Sequence, residues 1–254
     1  MKILIGTPHH GGSVFADYAH SLVRTMLALH ENGIEPGLFL RQSSVLPDNR
    51  NMIAATALEL DCSHLLFIDA DMGWEPEAVL QLLAHGVDLV GGIYQMRVTG
   101  GAHCLANPRR SDRPNLLEVD AVGTGFLLIS RAVLEAMTAA WGCHGLFQFA
   151  VDERGHINED LTFCGKARGL GFKVHADPLM RLRHHGAQVF DMTWLEAHQL
   201  GRPVAIRSMP VIPPPADGST GAEGAAPLVA SQSSGGLVAS ESPIGACCDF
   251  ASGR

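Results

Sequence analysis

The chain has 254 residues, 46% of them hydrophobic, and a formal net charge of −8. That length and apolar content suffice for one full core plus a tail, and the acidic balance gives no general pull toward nucleic acid or an anionic membrane, although local basic patches can still bind phosphate. No apolar stretch approaches membrane-spanning length, and the start Met1-Lys-Ile-Leu-Ile-Gly-Thr-Pro8 reads as a strand entering a loop rather than a signal peptide, so a cytoplasmic location is expected.

Ile3-Leu-Ile5 is a first short strand, and residues 17–29 carry Tyr18, Leu22, Met26 and Leu29 at helical spacing, stopped by Asn32-Gly33. Leu38-Phe-Leu40 is a second strand, residues 51–60 an Ala-rich helix, and residues 65–68 a wholly apolar strand that ends in Asp69-Ala-Asp71. Pro76 and Glu77 suit the first turn of a helix through Leu83, followed by a strand over residues 87–90 and a break at Gly91-Gly92. Residues 94–114 are rich in Gly, Pro and Arg without a period, which predicts a mobile loop or excursion. Residues 119–129 read as strand interrupted by Gly123-Thr-Gly125, residues 131–140 and 159–168 as helices, residues 173–175 and 180–185 as strands, and residues 193–200 as a helix with Thr193 as N-cap. This alternation predicts an α/β fold with a mixed, mainly parallel, helix-covered sheet over residues 1–207. Residues 208–254 are rich in Pro, Gly, Ser and Ala, the composition of a disordered tail. Cys62, Cys104, Cys143 and Cys164 lack the spacing of a zinc site or disulfide framework and read as reduced, buried thiols.

A strand buried on both faces is a continuous apolar run, and ligands of open α/β sheets gather at the carboxyl ends of such strands. Asp69 and Asp71 therefore stand where a hard-oxygen site for Mg²⁺ or Mn²⁺ would form. A helix-capping role for Asp71 ahead of the Glu75-Pro76-Glu77 helix start accounts for the pair equally well. Asn158-Glu159-Asp160 opens a helix, where acids favour the helix dipole without any function, or where one of them acts as a general base. Arg183-His184-His185-Gly186 ends a strand and offers an imidazole to the same metal, in a chain with 13 histidines.

These features occur in one order, and together the chain resembles nucleotide-sugar-dependent glycosyltransferases of the GT-A (Rossmann-like) fold, family 2-like, over residues 1–200. The matching elements are the strand into Asp69-Ala-Asp71, Asp48-Asn-Arg50-Asn51, Gly123-Thr-Gly125 with the apolar run to Arg131, Asn158-Glu-Asp160, and Asp177-Pro178 with Arg183-His184-His185-Gly186. The resemblance implies that Asp71 binds Mn²⁺ or Mg²⁺, that Asp69 contacts metal or ribose, and that His184, with His185 in reserve, completes the metal site. It further implies that Thr7 and Pro8 cradle the nucleotide, that Arg50 reaches the base or phosphates, and that Gly123 and Gly125 let backbone approach the donor sugar. Asp160, with Glu159 as alternate, would deprotonate an acceptor hydroxyl, giving transfer of one sugar with inversion. The donor would be a nucleotide-diphosphate sugar; the acceptor, a saccharide, lipid-linked glycan, protein, small molecule or modified nucleic acid, is left open.

Three rival readings compete. Leu65-Leu-Phe-Ile-Asp-Ala-Asp71 also resembles the nucleophile motif of haloacid-dehalogenase-type phosphohydrolases, which need a downstream lysine; the only lysines beyond Lys2 are Lys166 and Lys173. A nucleotidyltransferase would carry a cation in the first loop, and Gly6-Thr-Pro-His-His-Gly-Gly12 has none. A non-catalytic module would bind metal or nucleotide through His9 and His10 without turnover.

Overall fold

A computed structural model describes residues 1–97, 102–153, 155–186, 189–201 and 211–215. Three parallel strands, β1 (Lys2–His9), β2 (Glu35–Gln42) and β3 (His64–Ile68), alternate with α1 (Ala16–Glu31) and α2 (Leu46–Glu59). Then come β4 (Met72–Gly73), α3 (Glu77–Ala84), β5 (Leu89–Gly92), β6 (Leu105–Ala106), β7 (Arg109–Arg110), β8 (Leu117–Val119), β9 (Ala121–Val122), β10 (Phe126–Ser130) and α4 (Arg131–Trp141). The chain continues through β11 (Ala150–Asp152), β12 (Gly155–Ile157), α5 (Glu159–Gly169), β13 (Val174–Asp177), β14 (Arg183–His185), β15 (Val189–Phe190) and α6 (Trp194–Gln199).

The central sheet has eight strands in the order β2-β1-β3-β10-β5-β13-β8-β7. Strands β2, β1, β3, β5, β13 and β7 run one way, and β10 and β8 oppose them. The sheet is mixed but mainly of one direction, as the alternation predicts. Leu65, Leu66, Phe67 and Ile68 of β3 are all fully buried, which is why that strand lacks polar alternation. Helices pack against the sheet strands, and Phe147 stacks on Phe163 with ring centroids 4.3 Å apart and meets Phe67 in a T-shaped contact at 5.4 Å.

Several boundaries differ from expectation for identifiable reasons. Helix α2 starts at Leu46, five residues before the expected 51, because Pro47 sits in its first turn; Asp48, Asn49 and Arg50 are therefore helical. Strand β5 runs through Gly91 and Gly92 instead of ending there. Neighbours pack directly on that backbone: a Cβ at Gly91 would lie 2.9 Å from Val122, and one at Gly92 would lie 2.6 Å from Leu182. The stretch expected to be a loop supplies β6, β7 and the buried Tyr94, Cys104 and Leu105, apart from residues 98–101, which lie outside the described residues. Cys62, Cys104, Cys143 and Cys164 are buried free thiols. The expected tail lies outside the described residues except for 211–215. Among the described residues no helix is long and apolar enough to cross a membrane.

Two features position the site. Asp69 and Asp71 leave the carboxyl end of β3, and the small sheet β15-β14-β4 pairs His184 with Met72 and Arg183 with Gly73. That second pairing brings a C-terminal strand alongside the residues that follow the aspartates.

Candidate active site

Asp71 caps no helix. Strand β4 follows it at once, and α3 begins only at Glu77, with Pro76 at its N-cap. The capping alternative is thereby removed, and the carboxylate has another environment. Its Oδ2 lies 3.0 Å from Arg97 Nη2, and its Oδ1 is buried without a hydrogen-bond partner among the described residues.

His184 Nε2 stands 3.7 Å from that orphaned Oδ1, too far for a hydrogen bond. The other ring nitrogen, Nδ1, lies 2.9 Å from the Gln95 carbonyl oxygen. A carbonyl only accepts, so Nδ1 carries the proton, and in the neutral ring Nε2 presents a bare lone pair to a carboxylate oxygen. Two acceptors facing each other are explained by a cation between them. Metal bonds of ~2.1 Å from nitrogen and oxygen ligands reach across such a gap. A backbone carbonyl on the far ring nitrogen is the usual support of a metal-binding histidine. Asp71 and His184 therefore fit a divalent ion, although no cluster of three such ligands occurs among the described residues.

His185 points elsewhere. Its Nε2 lies 2.7 Å from Asp17 Oδ2 and its ring stacks on Phe15, while only its backbone N–H reaches the Asp71 carbonyl, at 2.8 Å. Residues 184 and 185 are neighbours in a strand and face opposite ways, so one reaches Asp71 and the other Asp17. Asp17 also accepts both Nε and Nη2 of Arg183, at 2.8 and 3.0 Å. The Arg183 hydrogen bond, opposed by burial and helped by His185, pulls the Asp17 carboxyl down to about 2.

Arg50 borders the cleft but is almost wholly buried, and its Nη1 has no hydrogen-bond partner among the described residues. Its Nη2 donates to Asp69 Oδ1 at 3.1 Å and its Nε to Glu159 Oε1 at 3.2 Å, with the guanidinium over the Phe67 ring. Arg50 thus ties β3 to the start of α5, and Glu159 serves as its partner. Burial works against the Arg50 charge, but Asp69 and Glu159 outweigh it and raise its pKa above the usual value. Asp160, next along α5, is only partly buried and accepts a hydrogen bond from the Leu161 N–H at 2.8 Å. Burial, reinforced by Glu159 and opposed by Arg50, raises its carboxyl to about 6.

The glycines serve packing. A Cβ at Gly123 would lie 2.4 Å from the Tyr94 hydroxyl oxygen, and one at Gly125 would lie 2.7 Å from it. The Tyr94 hydroxyl instead accepts the Gly125 N–H at 3.1 Å, and the Tyr94 ring meets His184 edge-on at 5.2 Å. Gly123 and Gly125 make room for the tyrosine that buttresses His184. Thr7 is fully buried inside β1, with its hydroxyl bonded to that of Tyr18, because the strand runs on to His9 instead of ending before Thr7.

A cleft of about 640 Å³ opens at the carboxyl ends of β1 and β3. Pro8, His9, His10, Ser43, Asn49, Arg50, Asp69, Asp71 and Arg97 are among its lining residues. Pro8, Arg50, Asp69 and Asp71 are thus brought together there, whereas Thr7, Gly123, Gly125, Glu159, Asp160, His184 and His185 are not among its lining residues, although a Cβ at Gly125 would lie 3.1 Å from Asp69 Oδ2. Sequence reasoning missed Arg97 and Asp17. Arg97 lies in a stretch without periodicity, and the acidic first turn of α1 marks Asp17 only as a helix-start residue.

No protein-family model matches the chain, and no curated protein does. Among solved structures it is similar to A197 from STIV, at 20% identity over 77% of this chain and 92% of that one, with a TM-score of 0.51. A Drosophila β-1,4-galactosyltransferase 7 mutant in complex with manganese, UDP-Gal and xylobiose is similar at 14% identity, over 79% of this chain and 74% of that one, with a TM-score of 0.45. UDP-glucose pyrophosphorylase complexed with UDP-glucose is similar at 10% identity over 76% and 92%, with a TM-score of 0.43. With β10 opposed between the parallel strands β2-β1-β3 on one side and the parallel pair β5-β13 on the other, and paired carboxylates at the end of β3, the chain has a GT-A-type fold.

Proposed function

We propose that the chain is a nucleotide-sugar-dependent glycosyltransferase in which Asp71 and His184 hold Mn²⁺ or Mg²⁺. The observation that carries the reading is the lone pair of His184 Nε2 facing the orphaned Asp71 Oδ1 across 3.7 Å. The bound ion would neutralise charge on the leaving diphosphate.

Asp160 acts as general base. A carboxyl raised to about 6 is ionised at neutral pH yet basic enough to take a proton from an acceptor hydroxyl. The acceptor oxygen forms its bond to the anomeric carbon as the bond to the diphosphate oxygen breaks; the hydroxyl proton passes to Asp160, and the electron pair leaves with the diphosphate. Attack from the face opposite the leaving group inverts the anomeric centre. Arg50 positions Asp69 against Glu159 and so sets the distance between the donor and acceptor ends. Asp69 is available to ribose or metal through the oxygen that Arg50 does not hold.

Both lysines that a dehalogenase-type phosphohydrolase would recruit are engaged away from the aspartates. Lys166 donates to Gly145 O and Gln148 Oε1, and Lys173 pairs with Asp112 and Glu118. The test is a thermal-shift panel of nucleoside diphosphates and nucleotide sugars with and without Mn²⁺. Stabilisation that needs both nucleotide and Mn²⁺, and that disappears in Asp71→Ala, is expected. No response to any nucleotide would overturn the reading, and NMR of the product anomer separates inversion from retention.

A further inference from the structure

Two guanidinium groups line the cleft, and they are not equivalent. Arg50 is 3% exposed, and its charge is committed to Asp69 and Glu159. Arg97 is 47% exposed, its Nη2 lies 3.0 Å from Asp71 Oδ2, and its Nη1 donates to the His185 carbonyl at 3.1 Å. The side chain rests on Gly186, where a Cβ would come within 2.7 Å of Arg97 Cδ. The glycine after the histidine pair therefore keeps a bed for an arginine that covers the metal-binding carboxylate.

We propose that Arg97 is a two-position cation, resting on Asp71 and turning to the phosphates of a bound nucleoside diphosphate. The inference rests on the donor-site reading above. An exposed ion pair of this kind is worth little, because water screens it, so it yields readily. A diphosphate offers the planar guanidinium a bidentate, doubly charged partner, which is the stronger arrangement. As the arginine leaves, both oxygens of Asp71 become available. Arg97 thus competes with a metal ion for Asp71 but cooperates with the diphosphate, and nucleotide and metal should each strengthen the binding of the other.

Competition and cooperation give effects of opposite sign from one substitution. Mn²⁺ affinity is measured by electron paramagnetic resonance, first alone and then with whichever of UDP, GDP, ADP or CDP most stabilises the wild-type chain; affinity for that nucleotide is measured by calorimetry at saturating Mn²⁺. In Arg97→Gln, Mn²⁺ alone is expected to bind up to about fivefold more tightly, the scale of an exposed ion pair. The nucleotide is expected to bind roughly tenfold or more weakly, the scale of a lost hydrogen bond to a charged group. Gly186→Ala keeps the charge but crowds its bed, and should tighten Mn²⁺ alone without the full loss of nucleotide affinity. An unchanged Tm in each variant, read beforehand, establishes that it is folded. If the wild-type chain binds both probes but Arg97→Gln moves the two affinities in the same direction, or moves neither, Arg97 has no such role. If the wild-type chain binds neither Mn²⁺ nor any of the four nucleotides, the donor-site reading itself falls.

Discussion

Which nitrogen of a histidine carries the proton decides what the ring can do, and at His184 the Gln95 carbonyl makes that choice. The consequence is a lone pair aimed at Asp71. A comparable contrast separates the two acids that open α5: Glu159 is held by Arg50, whereas Asp160 is raised to about 6 and, among the described residues, accepts the Leu161 N–H. If Asp160 is the base, kcat/KM should rise with pH through about 6 and then level off. Asp160→Asn should lower it by roughly 10²–10⁴-fold and abolish that limb of the profile. Stability should move the other way. A carboxyl whose folded pKa is raised contributes stability below its unfolded value near 3.8, and that contribution is lost as pH rises through about 6. Asp160→Asn should accordingly have a higher Tm than wild type at pH 7 and nearly the same Tm at pH 4, checked by thermal melts at the two values. A lower Tm at pH 7 would show that the carboxylate is structurally needed.

At the level of elements, the two-residue strand β4 and the three-residue strand β14 would be marginal alone, and α1 holds them together. Asp17 on α1 clamps Arg183 and His185, the two residues flanking His184. A Cβ at Gly73 would lie 1.9 Å from the Asp17 carboxylate, so Gly73 is what lets the clamp close. Gly73→Ala should cost about 1–3 kcal/mol in chemical denaturation. Asp17→Asn should weaken Mn²⁺ binding without touching either ligand. Because the Asp17 carboxyl is held at about 2, its contribution to stability is present above the unfolded value of 3.8 and lost as pH falls through about 2. The Tm gap between wild type and Asp17→Asn should therefore shrink between pH 4 and pH 2. Gly123→Ala should destabilise by pushing on the Tyr94 hydroxyl, with partial rescue in the double variant with Tyr94→Phe, a coupling a double-mutant cycle measures. No rescue would mean that the glycine serves something other than that hydroxyl.

Across the whole molecule, the sheet was legible because long buried strands announce themselves as apolar runs, as Leu65 to Ile68 do. The aspartates at the end of β3 were legible for the same reason. Less visible were features set by side chains approaching from elsewhere. The sequence places Gly123 and Gly125 beside a strand but not the Tyr94 that fills the space above them, and a histidine doublet does not disclose which member faces Asp71. Thr7 was misplaced because β1 runs beyond the apolar residues that mark it, and Arg97 carries no local signal at all. The ion-pair pattern over the sheet also bears on chemistry: with Lys166 and Lys173 engaged elsewhere, the chain should not turn over p-nitrophenyl phosphate, and robust hydrolysis would favour the phosphohydrolase reading.

The most direct measurement is Mn²⁺ binding by electron paramagnetic resonance, in the presence of nucleoside diphosphate, for wild type, Asp71→Asn and His184→Ala. The account predicts that the wild-type chain quenches the sharp six-line signal of free Mn²⁺ and that each substitution largely restores it. Equal quenching by wild type and His184→Ala would contradict a metal held between Asp71 and His184.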